Sequence, residues 1–160
     1  MKLGEFGKHV SSIIARNPLT RKGISSAVAH AEKLTDILGD LKPVRFKEGK
    51  NLSEVAIIGR DMTYVREAGA RLNAAGVKTR IFTPSKIAND ALQNASKAYD
   101  GKNVPYDIIP ETFAYKENMD WVKNVNIDEV PVIDIGNPSG KTIPSRFYDD
   151  EILNFFGGKK

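Results

Sequence analysis

An aspartate inside an apolar strand, an arginine directly after a strand-ending glycine, and a tyrosine and a glutamate three residues apart are what this sequence offers for chemistry. The aspartate is Asp134, within Val130-Pro131-Val132-Ile133-Asp134-Ile135. A carboxylate buried among apolar neighbours is costly without a partner, so such a residue has a partner or a task. Arg60 follows Val55-Ala56-Ile57-Ile58-Gly59 and brings a guanidinium that can hold a phosphate through paired hydrogen bonds. Tyr148 and Glu151 share one face of any helix that contains both. These four are the candidate catalytic residues, a set able to hold phosphate and to move protons. Asp61, Arg66, Arg71, Ser145 and Glu111 are the candidates for substrate binding. Bland readings stand beside several of them: Ser145 after Pro144 suits a helix cap, Tyr148 suits half-buried packing, and Glu151 suits a solvated helix face.

Other chemistries fail on inventory. The chain has no cysteine, which removes disulfides, thiol nucleophiles and cysteine-built metal sites together. Its two histidines, His9 and His30, both precede the expected core, so a histidine-pair or histidine-metal mechanism would have to assemble outside it. No G-x-S-x-G elbow, phosphate-binding P-loop or G-x-G-x-x-G fingerprint is present. Asp40 with Glu48-Gly49-Lys50 imitates a metal-dependent nuclease arrangement, but Lys47-Glu48-Gly49-Lys50 reads first as an exposed turn. The sequence requires no cofactor and no metal ligand set is assigned, while a divalent ion remains compatible with it.

The elements that must position these residues change character near residue 50. Before it the pattern is helical. Ser25 or Ser26 can cap a stretch in which Val28, Ala31, Leu34, Ile37 and Leu38 recur at helical spacing, ended by Gly39, and an earlier short helix spans His9 to Ala15. From Ser53, apolar runs of strand length alternate with amphipathic helices. Strands are expected at 55–59, 77–82, 106–109 and 130–135. Helices are expected from Met62 to Ala75, from Pro84-Ser85 to about Tyr99, across Phe113 to Val125, and from Ser145 to Gly157. This predicts an α/β fold, a small Rossmann-like or flavodoxin-like, mostly parallel sheet with right-handed crossovers, behind a short helical N-terminal segment. The expected division is a basic lead-in at 1–50 and a catalytic domain at 51–160. In such sheets ligands bind beyond the carboxyl ends of the strands, which is where Arg60, Asp61, Glu111 and Asp134 fall.

Length and charge set the class. At 160 residues the chain suits one domain's core, and 41% apolar with 28% charged residues is a globular composition. No apolar run approaches the roughly twenty residues that span a bilayer, and no signal peptide is evident, so the chain is expected neither to export nor to anchor itself. Residues 1–86 carry sixteen Lys and Arg against eight Asp and Glu, whereas 87–160 carry eight against twelve. A basic half suits a polyanion, with Arg66 and Arg71 as phosphate contacts.

Four blocks, taken in order, resemble the C-terminal effector domains of bacterial polymorphic toxins of the Rhs and contact-dependent inhibition type. They are Val55-Ala56-Ile57-Ile58-Gly59-Arg60-Asp61-Met62 with Val65-Arg66, then Asn118-Met119-Asp120-Trp121-Val122, then Val132-Ile133-Asp134-Ile135-Gly136, and Pro144-Ser145-Arg146-Phe147-Tyr148-Asp149-Asp150-Glu151. The likeness covers about residues 53–156. It departs after Gly136, where such domains often add an acidic residue and this chain has Asn137-Pro138. The resemblance implies a toxin carried at the end of a larger exported protein, acting in the cytoplasm of a target bacterium and neutralised by a cognate immunity protein. It implies most often a nuclease on tRNA, rRNA or DNA, with RNA (tRNA or rRNA) the expected substrate. The alternatives are an NAD or nucleotide glycohydrolase, with Glu151 stabilising an oxocarbenium ion and Arg60 holding phosphate, and a non-enzymatic binding module.

Overall fold

The computed structural model describes residues 21–157, so the short helix expected at His9 to Ala15 lies outside the described residues. The fold is mixed α/β. Its elements in chain order are α1 (Arg21–Leu38), β1 (Arg45–Lys47), β2 (Glu54–Ile58), α2 (Met62–Ala74), β3 (Lys78–Arg80), α3 (Lys86–Lys97), a 3-10 turn (Ile109–Glu111), α4 (Phe113–Ile127), β4 (Val132–Asp134) and α5 (Arg146–Phe156). None of the described helices is long and apolar enough to cross a membrane. The described chain divides into two compact units, residues 21–81 with 129–140, and residues 82–128 with 141–157.

The first unit holds a four-stranded open sheet in the order β1-β4-β2-β3. β2 pairs in parallel with β3 and with β4, and β1 pairs antiparallel with β4. Because strand side chains alternate between faces, Val55, Ile57, Ile133 and Ile135 fall on one side of the sheet. There they join Ala31, Leu34 and Leu38 of α1 and Val65, Ala68 and Leu72 of α2 in one buried cluster. The period of the sequence explains both helices, since these residues recur three and four apart. Asp61 caps α2 by accepting the Thr63 N–H at 3.0 Å.

The second unit is helical, and α4 touches α3, the 3-10 turn and α5. Ser85 caps α3 and Thr112 caps α4, each accepting a backbone N–H through its hydroxyl. The Glu117 carboxylate of α4 accepts the Ser85 N–H at 2.8 Å and its hydroxyl at 2.6 Å, tying the two helices together. Those hydrogen bonds hold Glu117 below the usual carboxylate range. Trp121 lies between Phe82 and Phe155, with centroids 6.2 and 6.0 Å away.

Three expectations are corrected. Tyr106 to Ile109 is no strand: Pro105 O accepts the N–H groups of Ile108 and Ile109, and Pro110, which has no N–H for a ladder, is the second residue of the 3-10 turn. The sheet recovers its fourth strand from β1, within the helical lead-in, so it is parallel in two pairings and antiparallel in the third. Ser25 and Ser26 lie inside α1, which runs from Arg21 in the described chain, so neither is its cap.

Candidate functional site

The direction of the strands decides what meets at the ligand edge. β2, β3 and β4 run the same way, so the turns after Ile58 and Asp134 leave from one edge; β1 runs against them and starts there. The edge therefore gathers Gly59, Arg60, Asp61, Asp134, Gly136 and Arg45. Backbone hydrogen bonds stitch it: Arg60 N–H to Gly136 O at 2.8 Å, Ile135 N–H to Ile58 O at 3.0 Å, and Val44 N–H to Asp134 O at 2.7 Å.

Asp134 is fully buried. Its Oδ2 accepts Arg45 Nη1 at 2.6 Å, and its Oδ1 accepts the Gly136 N–H at 2.7 Å. The buried carboxylate thus has the partner that its apolar surroundings demand. Arg45 was not among the residues singled out from the sequence, because Arg45-Phe46-Lys47 carries no strand signature. Arg60 is half-buried at the same edge. Asp61 is there too, with its carboxylate engaged as the α2 cap.

The other two basic candidates of this unit stand on α2. Arg66 is exposed one turn in. Arg71 faces α1: its Nη1 donates to Leu38 O at 2.7 Å and to Asp40 at 2.5 Å, and its Nε to Glu67 at 3.0 Å. A carbonyl at the end of α1 is satisfied in this way, so Arg71 serves the fold. The nuclease-like trio is likewise dispersed, with Asp40 on Arg71 and Lys50 3.7 Å from Glu129.

Ser145, Tyr148, Glu151 and Glu111 belong to the second unit. Ser145 caps α5, accepting the Tyr148 N–H at 3.3 Å, as its position after proline predicts. Glu151 is only 8% exposed and Tyr148 is half-buried, so the three-residue spacing does turn both to the covered side of α5, with Phe155 beyond. Glu111 is exposed at the end of the 3-10 turn.

A denser polar cluster beside them escaped sequence reasoning. Asp150 accepts the Tyr115 hydroxyl and Arg146 Nε, the latter at 2.8 Å, and Asp149 accepts the Tyr106 hydroxyl at 2.5 Å. The Arg146 guanidinium lies 5.2 Å from the centre of the Tyr106 ring. Asp149 beside its hydroxyl pushes Tyr106 up to about 12, and burial, with Asp150, pushes Tyr115 to about 12. Such phenols stay protonated near neutrality and serve as hydrogen-bond donors. The Arg146–Asp150 spacing of four was the one legible signal. On α4, Asn118 is wholly buried with no hydrogen bond to either side-chain polar atom from the described protein, an exception to the pairing of buried amides.

Among the described residues, no three His, Asp or Glu side chains gather to hold a metal ion. The nine sequence candidates thus fall into two groups, Arg60, Asp61 and Asp134 at the sheet edge with Arg66 and Arg71 on α2, and Glu111, Ser145, Tyr148 and Glu151 in the helical unit. Compared with family models, with curated proteins and with solved structures, the chain matches none.

Proposed function

We propose that this chain is an antibacterial effector domain that hydrolyses RNA in the cytoplasm of a target bacterium, on a small Rossmann-like or flavodoxin-like scaffold. In this reading it travels at the end of a larger exported protein and is held inactive in the producer by an immunity protein. The observation that carries the nuclease reading is the carboxyl edge of the sheet, where Arg45 holds the buried Asp134 and Arg60 follows the end of β2. Two guanidiniums at the ligand edge suit a phosphodiester. The unit around them is basic: residues 21–81 and 129–140 carry twelve Lys and Arg against nine Asp and Glu, a net of +3. The helical unit, residues 82–128 and 141–157, carries seven against ten, a net of −3. A basic face that tracks a phosphate backbone binds with strong salt dependence.

Glu151 supports a second reading. A carboxyl group 8% exposed on α5 is the kind of group that stabilises an oxocarbenium ion, so hydrolysis of the glycosidic bond of NAD is the competing activity. One experiment separates them. The domain is expressed in bacteria from a tightly controlled promoter, and total RNA and cellular NAD are followed in the same samples before growth stops. RNA fragments with intact NAD are expected. NAD collapse with intact RNA transfers the assignment to the glycohydrolase, and growth arrest with both intact overturns both readings.

A further inference from the structure

Arg45 reaches the carboxyl edge of the sheet only because β1 runs antiparallel to β4. It stands in register with Asp134, which is in register with Ile58 on its other side. The Asp134 side chain is 0% exposed and that of Arg45 is 45% exposed, so the pair joins a buried anion to a cation at the surface. Both oxygens of Asp134 already accept hydrogen bonds, from Arg45 Nη1 and from the Gly136 N–H. A carboxylate occupied in this way is a poor general base and a good anchor.

We infer that Arg45 binds a phosphate oxyanion of the substrate and that Asp134 is its positioning residue. The inference rests on the proposed phosphate-bearing substrate and names the group that meets it. A guanidinium carries five N–H donors in one plane, a fork that matches phosphate. Holding the guanidinium on a buried carboxylate through Nη1 fixes that plane before the ligand arrives, which lowers the ordering cost of binding. The neighbouring loop carries Arg60, whose backbone N–H donates to Gly136 O at 2.8 Å. The start of α2 does not compete for the anion, because Asp61 already accepts from its amides.

The test uses the full 160-residue chain and two probes, a short 2′-O-methyl oligoribonucleotide and NAD, titrated at several salt concentrations. The variants are Arg45→Gln, Arg45→Lys, Arg45→Gln with Asp134→Asn, and Lys50→Gln as a charge control beyond the opposite end of β1. The double variant matters because Arg45→Gln alone leaves a buried carboxylate without its cation and can fail to fold. Loss of oligonucleotide affinity of about tenfold or more in Arg45→Gln and in the folded double variant is expected, with the salt slope reduced by about one. Arg45→Lys should fall between these and the wild type, and Lys50→Gln should bind as the wild type does. If the wild type binds NAD and not the oligonucleotide, and the double variant loses NAD tenfold, the RNA reading fails while the oxyanion site stands. A folded double variant that binds as tightly as the wild type overturns the site, and a wild type that binds neither probe overturns both.

Discussion

Arg80 clasps Glu54 with a two-pronged hydrogen bond, Nε to Oε1 at 2.9 Å and Nη2 to Oε2 at 3.0 Å, across the seam between β2 and β3. β3 is an edge strand of three residues, and this partly buried fork ties it to β2. The hydrogen bonds from Arg80 hold the Glu54 carboxyl below its usual range. The folded state therefore binds a proton less readily than the unfolded chain. The pair's contribution is present above the unfolded carboxyl pKa, about 4.3, and is lost as pH falls through the lower folded value. Glu54→Gln should lower stability at pH 7 by about 1 kcal/mol. Urea midpoints measured from pH 7 to pH 3 should show the two proteins converging; a constant gap would show that the charge contributes nothing.

Tyr106 and Tyr115 set an alkaline limit. Both titrate near 12 in the folded protein, against about 10 for an unfolded tyrosine. A raised folded pKa stabilises the protein below 10 and withdraws that stability as pH climbs from about 10 to 12. In absorbance titrations at alkaline pH, Asp149→Asn and Asp150→Asn should each return one tyrosine toward its ordinary range. Tyr106→Phe with Tyr115→Phe should flatten the loss of stability above pH 10.

Two glycines separate close approach from backbone conformation. A Cβ at Gly49 would lie 2.3 Å from Glu129 O and 2.7 Å from Pro131 N, backbone atoms just ahead of β4. Gly49→Ala must push those segments apart and should cost about 2–3 kcal/mol. At Gly76, φ is +85° and nothing lies within 4 Å of an added Cβ, so Gly76→Ala should cost only about 1 kcal/mol. Equilibrium denaturation of both variants checks the order, and equal losses would contradict it.

Arg71 and Glu151 should divide fold from activity. Arg71→Ala removes the bonds to Leu38 O, Asp40 and Glu67, so its melting temperature should fall, while on the proposed reading the protein that remains folded still arrests growth. Glu151→Gln preserves shape and should change the melting temperature little; on the proposed RNase reading it leaves growth arrest intact, and on the glycohydrolase reading it abolishes it. Growth arrest lost in Glu151→Gln would favour the glycohydrolase reading over the proposed one.

Helices α2, α3, α4 and α5 were legible because apolar spacing and the caps Ser85 and Ser145 act within a few residues of each other. β2 and β4 were legible as apolar runs. β1 was not, since only Phe46 of its three residues is apolar and its partner Asp134 lies 89 residues from Arg45. The segment Tyr106 to Ile109 misled because its composition favours a strand while Pro105 and Pro110 impose a turn. Asp134 was readable as a residue needing an explanation, and the explanation, Arg45, was hidden with the strand that carries it. The tyrosine–aspartate cluster was hidden for the same reason, as its partners come from three separate segments.

The strand order has a consequence for how the molecule comes into being. β4, near the end of the chain, occupies an interior position between β1 and β2. A polypeptide emerging amino terminus first can pair β2 with β3, yet β1 has no neighbour and Asp134 has not arrived to hold Arg45 until residues 132–134 appear. Long-range closure of this kind delays completion of the sheet. The edge where Arg45 is seated on Asp134 is therefore complete only once residues 132–134 have joined the sheet between β1 and β2.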